Sequence, residues 1–299
     1  MNKCFEAIET IDFNNNLEVI AMCSKEKDKV AFQKPVVTNE GDRKGRVEIW
    51  MGDLELMMRQ TLIQQVLDCA IDCGSEDYVR TKWVLDWPGQ VVIAVNNSIW
   101  TGGVEEHINE GTLKTYYEQL LIERDDIVEK VKGKLTSLER LTLGALIVID
   151  QHAIYVTEML IDENITSTDD FDWVSQLRYY LEKKKRDNQK KVVTRMITST
   201  LDYQYEYLGN SPRLVITPLT DRCYRTLMGA FESFYGGAPE GPAGTGKTET
   251  VKDLAKAVAV QCVVFNCSDQ INFVAMSKFF KGLSQCGAWC CFDEFNRID

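Results

Sequence analysis

From residue 47 to about residue 71, Ile49, Trp50, Leu54, Met57, Met58, Leu62 and Val66 recur at steps of three and four, which predicts a long amphipathic helix. Residues 111–132 and 135–161 carry the same period. In the second of these, Leu138, Leu141, Leu143, Leu146, Ile147 and Ile149 supply a wide apolar face. Residues 4–11 read as a short helix, and Asp169-Asp170 marks the start of another over 171–181. The apolar runs 17–22 and 29–32, separated by polar SKEKD, predict a hairpin, and 35–45 reads as a polar loop. The stretch 83–101 is interrupted at Pro88-Gly89, where a break or kink is expected, and the run after it fits helix or strand. The run 182–191 (EKKKRDNQKK) reads as a solvated loop or fraying helix end in preference to a basic patch for an acidic partner. Like charges in a block repel one another and resist folding.

After residue 207 the pattern changes. Residues 208–222 hold two prolines and a turn signal, as a boundary between domains would. Beyond them the expected order is a helix over 223–234, a glycine-rich loop, a helix over 248–260, a strand at 262–266, a helix around 273–283 and a strand at 289–292. Such alternation implies a parallel sheet flanked by helices. The fold class expected is thus a mainly α-helical region followed by an α/β nucleotide-binding part.

Composition narrows the partners. With 44% hydrophobic and 26% charged residues the chain is globular, and its formal net charge of −11 argues against broad nucleic-acid binding. The start of the chain lacks the basic and apolar stretches of a signal peptide, and the apolar run 143–149 is too short to cross a bilayer. An intracellular, soluble chain with neither nucleic acid nor membrane as partner is expected. The ten cysteines include no C-x-x-C pair and only His107 and His152 accompany them, so they read as buried thiols and not as a zinc site.

The chemistry is concentrated in GPAGTGKT, residues 241–248, which fits G-x-x-x-x-G-K-[ST]. Phosphate oxygens need several backbone N–H donors aimed inward, and Gly241, Gly244 and Gly246 permit the turns that aim them. Pro242, Ala243 and Thr245 complete the loop, Lys247 brings a point charge to the β- and γ-phosphates, and Thr248 offers its hydroxyl to Mg²⁺ at the head of a helix that continues through Glu249. A second element, AWCCFDEF at 288–295, reads as a buried strand delivering Asp293 and Glu294 to its C-terminal edge, where ligands bind in open parallel sheets. Asp293 would hold the magnesium's water shell, and Glu294 would act as general base on the attacking water. Alone, two acids after an apolar run mark any strand-to-loop transition; following a phosphate loop they acquire this meaning. A third, weaker element is RLVITPLTDR, 213–222, which could wrap an adenine ring or merely pack between domains.

These segments together resemble a known family. GPAGTGKTETVKDLAKAVAVQCVVFNCSDQINF, KFFKGLSQCGAWCCFDEFNRID and EYLGNSPRLVITPLTDRCYRTL are similar to the first AAA+ module of dynein heavy chains. VEIWMGDLELMMRQTL, WVLDWPGQVVIAV and LTSLERLTLGALIVID resemble the dynein linker in its axonemal form. The resemblance implies a linker region over 1–205 and the start of the module over 206–299. It implies ATP and Mg²⁺ as cofactors, Gly241 to Thr248 as Walker A, Asp293 and Glu294 as Walker B, and Leu214, Val215 and Ile216 along the adenine. Its further implications are minus-end-directed movement on microtubules in the axoneme of cilia and flagella, a cytoplasmic and cytoskeletal location, and intermediate and light chains as partners beside the remaining modules. The family's sensor residues, small helical subdomain, arginine finger and microtubule-binding stalk do not occur in these 299 residues. Hydrolysis is therefore expected to depend on the rest of a heavy chain, since an arginine finger is worth about three to five orders of magnitude in turnover. The alternative is a non-catalytic structural fragment with an incomplete nucleotide site.

Overall fold

A computed structural model describes residues 5–183, 189–242, 244–267 and 272–295. The chain opens on an antiparallel meander of β1 (Thr10–Phe13), β2 (Val19–Cys23) and β3 (Lys29–Val36). The expected hairpin is there, but the short helix expected over 4–11 is not. A single turn at Phe5–Ile8 leads instead into β1, with Glu9 N donating to Cys23 O at 3.0 Å. The three-residue step from Phe5 through Ile8 to Ile11 suits one turn as well as a helix, and pairing with β2 decides between them. The expected loop after residue 35 begins once β3 has run on to Val36, and it includes a single 3₁₀ turn at Gly41–Arg43.

Helix α1 (Val47–Cys73) buries Leu54, Met58, Leu62, Val66 and Cys69 at helical spacing. Helices α2 (Arg80–Asp86) and α3 (Gly89–Glu110) are split at Trp87–Pro88, as the missing proline N–H requires. The apolar run after the break is helical, ended by Gly111 in the left-handed conformation at φ 69°. α4 (Leu113–Val131) and α5 (Ser137–Asp162) follow. A capping box starts α5: Glu139 N donates to Thr136 Oγ1 at 3.2 Å, and Thr136 N donates to Glu139 Oε2 at 2.6 Å. By length and composition α5 would suffice to cross a membrane, yet half of its most apolar window is buried inside the fold.

The helix expected over 171–181 shrinks to one turn, α6 (Phe171–Val174), which inserts the fully buried Trp173. The chain then enters a second antiparallel meander: β4 (Arg178–Lys183), β5 (Lys190–Met196) and β6 (Ser199–Asp202). Long-range partners make this choice. Tyr179 N donates to Thr101 Oγ1 at 3.0 Å, and buried Val192 and Val193 suit a sheet better than a polar loop. The two ends of the basic run therefore pair as strands, Glu182 opposite Lys191 and Lys183 opposite Lys190; residues 184–188 lie outside the described residues.

An irregular strap, 203–208, carries the chain onward, with Tyr205 at φ 57°. Gln204 N donates to Val258 O at 3.0 Å and Glu206 N to Ala259 O at 3.1 Å. Tyr203, Tyr205 and Tyr207 are buried in the same core as Trp83, Val91 and Ala259. Then come α7 (Pro218–Glu232), α8 (Lys247–Ala257), β7 (Cys262–Asn266), α9 (Phe273–Cys286) and β8 (Trp289–Asp293), with β7 and β8 parallel. α7 begins earlier than expected, while α8 ends three residues short of its expected bound and α9 runs three residues past its own. Thr217 and Thr220 cap it reciprocally, and Pro218 at its first position presets the helical φ. Tyr224, Leu227 and Met228 of α7 pack on Val251, Leu254 and Val258 in a core that Ile216 and Trp289 flank.

Candidate nucleotide site

The phosphate loop stands at the head of α8. Gly244 and Gly246 have φ of 78° and 79°, and Gly241 has φ 153°, values that L side chains rarely adopt. The loop is braced from within, Thr245 Oγ1 donating to Pro242 O at 2.9 Å. Lys247 Nζ donates to Gly241 O at 2.9 Å and Pro242 O at 2.7 Å, so the ammonium lies folded over the loop's first carbonyls. Ala243 lies outside the described residues. Gly246 caps α8 without a side chain. The first amides of the helix are thus open to an anion, with the helix dipole behind them. Glu249, in the first turn, is turned toward Lys252 at 2.8 Å.

The two acids lie at the end of β8. Asp293, half-buried, closes the register with Asn266, and its carbonyl accepts from Cys267 N at 2.9 Å. Glu294 follows, exposed, in the left-handed conformation at φ 53°, which costs a residue with a side chain about 1–2 kcal/mol. Helix α8 packs beside β8, which brings Thr248 into the neighbourhood of the Cys291 thiol. Burial pushes the Cys291 thiol up from its ordinary range, the Asp293 charge adds to this, and the Thr248 hydroxyl opposes it. The magnesium-binding hydroxyl expected from sequence and the strand that ends in Asp293 are therefore side by side.

The third element is an extended segment, 211–217, laid along α8. Leu214 N donates to Asp253 Oδ1 at 3.0 Å. Leu214 is half-buried, Ile216 packs against the core of α7 and α8, and Val215 is 69% exposed. The residues that fasten this segment escaped the sequence reading. Asp253 of α8 receives Arg213 Nε and Nη2, both at 2.9 Å, and the Tyr224 hydroxyl at 2.7 Å. Burial alone would raise the Asp253 pKa, but the Arg213 guanidinium and the four hydrogen bonds outweigh it and hold the carboxyl below its ordinary value. The available signal was an acid on a buried helix face, one turn from Thr250 and Ala257.

Comparison with known proteins agrees with this geometry. Residues 203–299 match the family described as the hydrolytic ATP binding site of dynein motor region, and residues 1–69 match dynein heavy chain, N-terminal region 2. Over its whole length the chain is 54% identical to dynein axonemal heavy chain 3 of Mus musculus and 52% identical to that of Homo sapiens. It is 50% identical to dynein axonemal heavy chain 12 of Rattus norvegicus. The chain spans 7% of the length of the first two relatives and 9% of the third. An identity of this size across all the helices, both meanders and the phosphate loop places the chain in the dynein heavy-chain family, in its axonemal branch.

Proposed function

We propose that residues 206–299 hold the front of a Mg·ATP site and that residues 1–205 form the C-terminal part of a linker fastened to it. The observation that carries this reading is the packing of α8, which begins with Lys247 and Thr248, beside β8, which ends in Asp293, so that the two motif elements share one region. The residues fit the ligand. Among the described residues no group of three or more His, Cys, Asp or Glu is placed to hold a metal. That suits Mg²⁺, which keeps its waters and substrate oxygens and takes only one or two protein ligands, here Thr248 and Asp293. Bound Mg·ATP would supply the transferable phosphoryl group and the charge that activates it. The chain's part is to place Lys247 and the α8 amides on the phosphates, to line the base with Leu214, Val215 and Ile216, and to present Glu294 as base to a water. In the complete heavy chain this activity would drive minus-end-directed movement on microtubules within cilia or flagella, with intermediate and light chains as accessory partners.

Fluorescent ATP-analogue binding by the full chain tests the site. Lys247→Ala is expected to weaken binding by at least about a hundredfold, since it removes the charge that meets the phosphates. Binding that ignores this change would favour the alternative, a non-catalytic fragment. In the complete heavy chain, Glu294→Gln is expected to retain ATP and to lower steady-state turnover by about two to four orders of magnitude. Undiminished turnover would remove Glu294 from its role.

A further inference from the structure

Asp253 is the most heavily engaged carboxylate near the phosphate loop. Its side chain is 2% exposed and that of Arg213 is 7% exposed. Oδ1 accepts from Arg213 Nε and Leu214 N, and Oδ2 accepts from Arg213 Nη2 and the Tyr224 hydroxyl. Three of the four donor groups belong to segment 211–217 and the fourth to α7. Buried ion pairs add little net stability, because desolvation offsets most of the attraction; what a satisfied pair does supply is a fixed geometry. The geometry fixed here has a direction. Lys247 begins α8 and Asp253 lies six residues further on, about 9 Å along the axis. One rigid helix thus carries the phosphate-holding group at its head and, further along, the clamp that holds Leu214–Ile216.

We propose that Asp253, through Arg213, is a positioning residue of the nucleotide site, setting the separation between the phosphate loop and the base-lining segment and so its preference for a nucleoside triphosphate over bare triphosphate. This rests on the ATP-site reading above. Misplacing a contact segment by an ångström can cost about a hundredfold in what it recognises, while leaving a distant subsite intact.

The test is calorimetric titration of the full chain with ATP and with inorganic triphosphate, each with Mg²⁺. Lys247→Ala is expected to weaken both ligands. Asp253→Asn, which keeps volume and removes charge, is expected to weaken ATP by about ten- to a hundredfold and leave triphosphate unchanged. Arg213→Gln gives the same split and carries the test if Asp253→Asn does not fold. Parallel loss of both ligands in a folded variant, or no loss of ATP, overturns the proposal. So does triphosphate binding as tight as that of ATP in the unsubstituted chain. Failure of both variants to show a cooperative melt also overturns it, since the carboxylate then serves the fold alone. An unsubstituted chain without Lys247-dependent ATP binding overturns the site reading itself, and this proposal with it.

Discussion

Arg80 shows how a few charged residues organise the helical part. Its guanidinium reaches both Asp150 oxygens at 2.8 and 2.9 Å, Asn96 Oδ1 at 2.9 Å and Glu123 O at 3.3 Å, so that α2, α3, α4 and α5 meet at one side chain. Asp150→Ala would leave that charge buried without its main partner. The expected loss is about 3–5 kcal/mol, measured by urea denaturation, whereas Arg80→Met with Asp150→Leu costs far less. Such pairs were illegible in the sequence, and so was Arg213 with Asp253, because each joins residues far apart in the chain. The glycine-rich turn into α8 was legible for the opposite reason: Gly241 to Thr248 are consecutive, and their spacing alone predicts a loop that opens a helix.

Elements were legible where a local period and the final burial agree. α1 shows this, and so does the succession of α8, β7, α9 and β8, whose strands came out within one residue of expectation. β4, β5 and β6 were lost because their backbone is fixed from outside: Tyr179 bonds to Thr101 Oγ1 and to Ala257 O, residues that no local window contains. The neighbouring glycines of α3 give a test of packing at this scale. A Cβ on Gly103 would overlap the Tyr116 hydroxyl of α4, while one on Gly102 meets nothing within 4 Å. Gly103→Ala is expected to destabilise by about 1–3 kcal/mol through overpacking, and Gly102→Ala to stabilise by about 0.5–1 kcal/mol through helix propensity. Thermal melts of the two variants shifting in the same direction would contradict this account of the α3–α4 contact.

At the scale of the whole molecule the helical and α/β parts are joined by half-buried polar groups. Glu206 accepts from Arg59 Nη2 of α1 at 3.0 Å and from Gln261 N, just ahead of β7, at 2.7 Å. Burial raises the Glu206 pKa above its ordinary 4.5, with the Gln261 amide and Arg59 opposing. A carboxyl raised on folding contributes stability that is fully present below pH 4.5 and is lost as the pH climbs through the folded value. The stability of the unsubstituted chain relative to Glu206→Gln should therefore fall as the pH rises above 4.5, as denaturant titrations across that range would show. A constant difference would mean that the junction does not sense this charge.

Helix α8 meets that junction with its far end. Its first residue holds the phosphate loop, while Ala257, at its last turn, accepts from the Tyr179 hydroxyl at 2.8 Å and the next two carbonyls accept from the strap. Eleven residues make a strut of about 16 Å, too short to bend and gripped at both ends. Thermodynamic reciprocity then applies to it. For the proposed phosphate site, a load applied at Tyr179 would change the free energy of phosphate binding by that load times the displacement that binding imposes there. On the proposed reading, anion affinity and mechanical strain in the helical part are linked through this one helix.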